Sequence, residues 1–179
     1  MKLTIRPGRR MTTAAAIACA ALMLPAVALA SSSGARSPAV PACSQSSTYV
    51  WFALAPNGAA GTIYYPIEFT NLGSTSCTLR GYPGVSAITK TNHQLGPPAG
   101  RFKATVHTLT LKPHQTVHAL LGIVEAGIIG NCHEATAFGL AVYPPNQTAK
   151  QFVESFTFSA CKNKVFMNVY PVAPGIGVP

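Results

Sequence analysis

The sequence contains no aspartate. Among its 179 residues only Glu68, Glu125, Glu134 and Glu154 are acidic, against 13 lysines and arginines. The missing residue type excludes paired-aspartate chemistry. Charged residues make up only 9% of the chain and hydrophobic ones 48%, which excludes a highly charged disordered polymer. No Gly-x-Ser-x-Gly elbow is present, nor a glycine loop for phosphates or dinucleotides. No basic run of the kind that tracks nucleic acid occurs, so that partner is not expected. From Cys43 onward, no stretch of ten or more residues keeps a 3.6-residue apolar period.

What is there starts with an export signal over residues 1–30. Lys2, Arg6, Arg9 and Arg10 form a basic start to an apolar run over 11–30, and Ala28-Leu29-Ala30 offers a small-x-small cleavage site before Ser31. The run is long enough to span a bilayer, but it is Ala-rich, broken by Pro25, and ends in a cleavage pattern. Cleavage is therefore expected, leaving no membrane helix. Arg9-Arg10 is a fragment of a twin-arginine motif, and neither Cys19 nor Cys43 is placed for a lipid anchor. Cleavage removes four basic residues and Cys19, so the mature chain has net charge +5 and four cysteines, Cys43, Cys77, Cys132 and Cys161. An even cysteine count in an exported chain predicts disulfides. Three connectivities are open, and the sequential one, Cys43–Cys77 with Cys132–Cys161, is favoured because it closes two moderate loops. Residues 31–42 read as a Ser/Ala/Pro-rich tether, 43–174 as the folded domain and 175–179 as a C-terminal tail.

The domain carries period-2 patterns. In 62–70, Ile63, Tyr65, Ile67 and Phe69 share one face, while Thr62, Tyr64, Glu68 and Thr70 share the other. Pro66 inside this run argues for an edge strand or a bulge. Residues 49–54 form a second strand, joined to the first through a Pro56-Asn57-Gly58 turn. Residues 106–124 read as a hairpin around Lys112-Pro113-His114-Gln115. Further strands are expected at 84–89, 138–143, 151–158 and 164–170, and a short helical turn at 132–137. About seven to nine antiparallel strands with turns between them predict an all-β sandwich.

Residues 58–85 read GAAGTIYYPIEFTNLGSTSCTLRGYPGV. The stretch resembles the signature of a secreted actinobacterial family, domain of unknown function 4232. The matching positions are Gly61-Thr62, Asn71-Leu72-Gly73 and the block from Cys77 to Val85. Leu109-Thr110-Leu111-Lys112-Pro113 resembles a later family turn, with His114 where the family has Gly. A second block, Gly139 to Pro145, and the late Cys161 also fit. The resemblance implies an exported immunoglobulin-like β-sandwich with two disulfides, and it implies no reaction. The His114 departure bears on the turn, because Gly takes positive φ more easily than His does.

Chemistry is sparse. Glu68 falls on the polar strand face, ordinarily a solvated position. A Glu/His hydrolase is an unfavoured alternative that needs Glu125 or Glu134 to meet His133 or His118. A histidine-based extracellular metal carrier is another, since the expected hairpin puts His107 and His118 on one face. No cofactor is expected. Trp51 is expected in the core, and Tyr64 is the aromatic best placed to stack on a sugar or polymer. Tyr82, Arg101 and Tyr143 are further binding candidates, in or beside the Pro/Gly-rich loops 81–85, 93–101 and 143–148. These readings converge on a secreted or cell-envelope module, non-enzymatic and monomeric, with an envelope protein or wall polymer as partner.

Overall fold

A computed structural model describes residues 38–52, 57–153 and 156–177. The expected signal, Cys19 and most of the expected tether lie outside these residues, as do Glu154, Val178 and Pro179. Fourteen strand segments are present: β1 (Thr48–Phe52), β2 (Asn57–Ala59), β3 (Thr62–Asn71), β4 (Cys77–Arg80), β5 (Gly84–Ala87), β6 (Gly100–Arg101), β7 (Thr108–Leu111), β8 (Thr116–Val124), β9 (Glu134–Ala137), β10 (Leu140–Tyr143), β11 (Gln151–Val153), β12 (Phe158–Cys161), β13 (Met167–Val169) and β14 (Ala173–Pro174). This exceeds the expected seven to nine because several segments hold only two or three residues. The expected helical turn at 132–137 is not there. A 3₁₀ turn occupies Ala126–Ile128, and Glu134–Ala137 is strand. Among the described residues there is no α-helix, and no helix is long and apolar enough to cross a membrane.

The main sheet runs β1-β3-β8-β13-β6, with β2 also on β3 and β14 also on β8. All pairings are antiparallel except β13 with β6. Three smaller groups, β11-β10-β5, β12-β9 and β4-β7, complete the strands. The alternation in β3 aligns with that in β8, so Phe69 sits opposite Val117, Ile67 opposite Ala119 and Tyr65 opposite Leu121. These six side chains are buried in one apolar cluster with Leu79, Val85, Leu111, Leu140 and Val142 from the smaller sheets. The period-2 pattern thus does its expected work: it turns one face of β3 and β8 into core.

β3 is an interior strand, not an edge. Pro66 is tolerated for a different reason. The Tyr170 N–H donates to the Leu120 carbonyl, so the backbone of Leu120 faces β13. Pro66 is opposite Leu120, and its missing N–H therefore faces the other way. On that side β1 ends at Phe52, opposite Ile67, and β2 begins at Asn57, opposite Tyr64. Its missing N–H therefore takes no donor from the β3–β8 ladder, the pairing that runs the whole length of β3.

Two turns also differ from expectation. Asn57-Gly58 is strand, and the chain reverses at Ala60-Gly61 instead. Both residues have positive φ, 48° and 78°, as a two-residue hairpin turn of the primed type requires. Residues 106–124 are not a hairpin. β7 pairs with β4 and β8 pairs with β3, so the chain passes from one sheet to the other at 112–115. That crossing is anchored to the end of β3, where the His114 N–H donates to the Asn71 carbonyl at 2.7 Å and the Asn71 N–H to the Gln115 carbonyl at 3.0 Å. His114 holds φ 62°, so it keeps the left-handed conformation that glycine would take more cheaply.

The Asn-x-Gly motif has a similar role. The buried Asn71 amide donates to the Thr75 and Leu111 carbonyls at 2.9 and 3.2 Å, and its oxygen accepts the Gly73 N–H at 2.9 Å. It fastens β3, the following turn and β7 together. Disulfides Cys43–Cys77 and Cys132–Cys161 close loops with sequence separations of 34 and 29. The second lies against Gly96, where φ is +73° and a Cβ would collide with the Cys161 carbonyl. The free edge of β1 is occupied by one side chain. Gln151 accepts the Val50 N–H at 3.0 Å and donates to the Thr48 carbonyl at 2.6 Å, while its own backbone pairs with β10.

Candidate functional site

On the outer face of the main sheet, one row of neighbours runs from β1 to β14: Trp51, Glu68, His118 and Ala173. Trp51 is therefore not a core residue. Its indole is half-buried and donates from Nε1 to Thr70 Oγ1 at 2.9 Å, and Thr70 in turn bonds Thr116 at 2.8 Å. Tyr49, on the same face, is 52% exposed. Tyr64 is only half-buried, packed close to the place of Gly122, where a Cβ would stand 3.0 Å from its ring.

Glu68 is not solvated. It is 0% exposed, because the segment after β14 folds across it. Its Oε1 accepts the Gly177 N–H at 2.8 Å, while Oε2 has no hydrogen-bond partner. Gly177 has no space for a side chain: a Cβ would strike Pro66 and come within 3.0 Å of the His118 ring. His118 is fixed in the same strap, with Nδ1 3.0 Å from the Gly175 carbonyl. The carbonyl can only accept, so Nδ1 carries the hydrogen. Burial pushes the Glu68 carboxyl above its ordinary value, partly opposed by the Gly177 hydrogen bond and the attraction of His118.

The sign of that shift sets a pH dependence. A raised carboxyl value means that the folded chain holds a proton the unfolded chain has already released. Glu68's contribution to stability is thus full below the ordinary carboxylate range, and is lost as pH rises through the folded value. Glu68→Gln keeps the acceptor for Gly177 and removes the ionisation. The stability difference between variant and parent is expected to move in the variant's favour as pH rises from 4 to 8. Urea melts across that range check this, and a pH-independent difference would contradict it.

Among the described residues, two cavities bear on these candidates. The first, about 280 Å³, is lined by Glu125 and Ser159 among apolar residues including Ile63 and Phe158. The second, about 360 Å³, lies beside β14. His107 and Leu109 line one side, His118 and Leu120 another, and residues 170–174 close it. His107 and His118 therefore share a cavity wall, although no hairpin brings them there. Among the described residues, no group of three or more His, Cys, Asp or Glu side chains is placed to hold a metal ion. Glu125 lines the first cavity and His118 the second, while His133 and Glu134 are exposed beside β12. The acid opposite His118 in the ladder is Glu68, which it attracts without a hydrogen bond. Its signal in the sequence was the lone acid in an apolar strand; the strap that covers it comes 109 residues later.

The remaining candidates divide. Arg101 lies over the Tyr82 ring at 5.4 Å, and the Tyr82 hydroxyl donates to the Phe102 carbonyl at 2.9 Å. Phe102 stacks on Tyr170 with ring centroids 4.4 Å apart. Burial, helped by Tyr64, pushes the Tyr170 phenol up, so it stays neutral. Tyr143 pairs with Gly84 between β10 and β5.

A family described as a domain of unknown function, DUF4232, matches residues 43–172. The chain, all-β and disulfide-bonded in its described residues, belongs to this family. No curated protein and no solved structure matches it.

Proposed function

We propose that this chain is an exported, non-enzymatic binding module of the cell envelope or its surroundings, built on an immunoglobulin-like sandwich. The cavity of about 360 Å³ beside β14 carries this reading. Its volume is within the range of small-ligand sites. Rigid, proline-bounded chain at Pro171 and Pro174 forms part of its wall. Two disulfides support an oxidising compartment, because such bonds persist outside the cytoplasm. The separation of Glu125 from His118 supports a role in binding rather than in acid–base chemistry.

The test is a substitution at the mouth. Ala104 lines the cavity and is exposed, so Ala104→Trp fills the opening without entering the core. The parent protein is expected to sediment with isolated cell-envelope material, and Ala104→Trp to lose most of that retention at an unchanged melting temperature. Equal retention of the two would remove the cavity from the binding role.

A further inference from the structure

The second cavity has apolar walls, and three exposed cations lie on the chain segments next to its lining. Leu109, Leu120, Val172, Pro171 and Pro174 supply the walls. Arg80 donates from Nη1 to the Val106 carbonyl and to Thr108 Oγ1, both at 3.3 Å, which places its charge on the segment that carries His107. Arg101 is held over Tyr82. The Tyr82 hydroxyl accepts the Ala104 N–H at 3.4 Å, which ties this pair to the cavity mouth, and Lys103 is the next residue along the chain. Arg80, Arg101 and Lys103 are all exposed. No acid lines the cavity. Glu68, behind His118, is buried and turned to Gly177, and Glu125 lines the other cavity.

We infer that this cavity takes a single-chain anionic amphiphile, its apolar tail against Leu109, Leu120 and Val172 and its carboxylate or phosphate head toward Arg101 and Lys103. The inference rests on the reading of this cavity as the ligand site. The volume, near the low end for ligand sites, suits one short chain and not a two-chain lipid. Burial of the tail supplies the affinity. The exposed charges supply selectivity for the sign of the head, each contributing on the order of a few tenths to 1 kcal/mol.

The probes are decanoate, decanol and decyltrimethylammonium, titrated calorimetrically into the purified protein. Decanoate is expected to bind most tightly, decanol several-fold more weakly, and the cationic analogue most weakly of the three. Combined Arg101→Ala and Lys103→Ala should weaken decanoate by about threefold per charge removed and leave decanol unchanged. Ala104→Trp should abolish binding of both. No decanoate binding, equal affinity for the two charged probes, or binding to phosphatidylglycerol vesicles without decanoate binding would each overturn the inference. If Ala104→Trp loses envelope retention while decanoate does not bind, this inference falls and the cavity remains the envelope site. If Ala104→Trp abolishes decanoate binding and leaves envelope retention intact, the inference stands and the envelope role falls.

Discussion

Replacing Cys43 and Cys77 together by alanine is expected to lower the unfolding free energy by about 4 kcal/mol. The figure follows from closing a loop with a sequence separation of 34 in the unfolded chain. Both sulfurs are buried, with Cys43 and Cys77 only 7% and 6% exposed. The substitution therefore also leaves small voids. Cys43 is held by more than its sulfur: its N–H donates to the Thr78 carbonyl at 2.9 Å, and Thr78 returns a bond to Pro41 at 2.7 Å. The start of the domain should thus remain on β4 while stability falls. Denaturant melts of parent and double variant measure the loss, and a parent whose melting is unaffected by reductant would contradict it.

Phe69→Ala is expected to cost about 3–5 kcal/mol, the usual range for a fully buried aromatic. Phe69 is 0% exposed and is among the largest wholly buried side chains. It sits in β3 with Val50 opposite on one side and Val117 on the other, so the void is walled by β-branched residues held in two ladders. Such residues have little freedom to collapse inward. Phe52, half-buried at the end of β1, stacks on Tyr65 with ring centroids 5.3 Å apart; Phe52→Ala should cost visibly less. Equal losses at the two positions would show that the packing around Phe69 is loose.

Much of this was legible, for identifiable reasons. β3 could be read because alternating apolar residues leave few other ways to bury Ile67 and Phe69. The family signature could be read because Asn71, Gly73 and Cys77 each meet a local geometric demand. Apart from the helical turn at 132–137 and the turn at Asn57-Gly58, what failed was non-local. The 106–124 hairpin looked sound because two strands flank a turn, and local pairing is the simplest use of a turn. Nothing in 112–115 reveals that His114 and Gln115 bond to Asn71 instead. Pro66 read as an edge residue because the sequence does not show which side of the strand its missing N–H would face. Glu68 read as solvated because periodicity assigns a face and is silent about what lies on that face. The cavity was invisible for the same reason: its walls come from 104–109, 118–120 and 170–174, three stretches with no common motif.

The amide of Gln151 has a consequence for the solution behaviour of the protein. An open strand margin is a template on which a second chain can add. Along β1 two of the groups a newcomer would use, the Val50 N–H and the Thr48 carbonyl, are taken by one glutamine side chain. A second copy must first evict that amide and leave its two polar ends to find water. The side chain is short enough to satisfy two main-chain groups and too short to start a ladder of its own. It occupies at that point the main-chain groups through which a further strand would begin to pair.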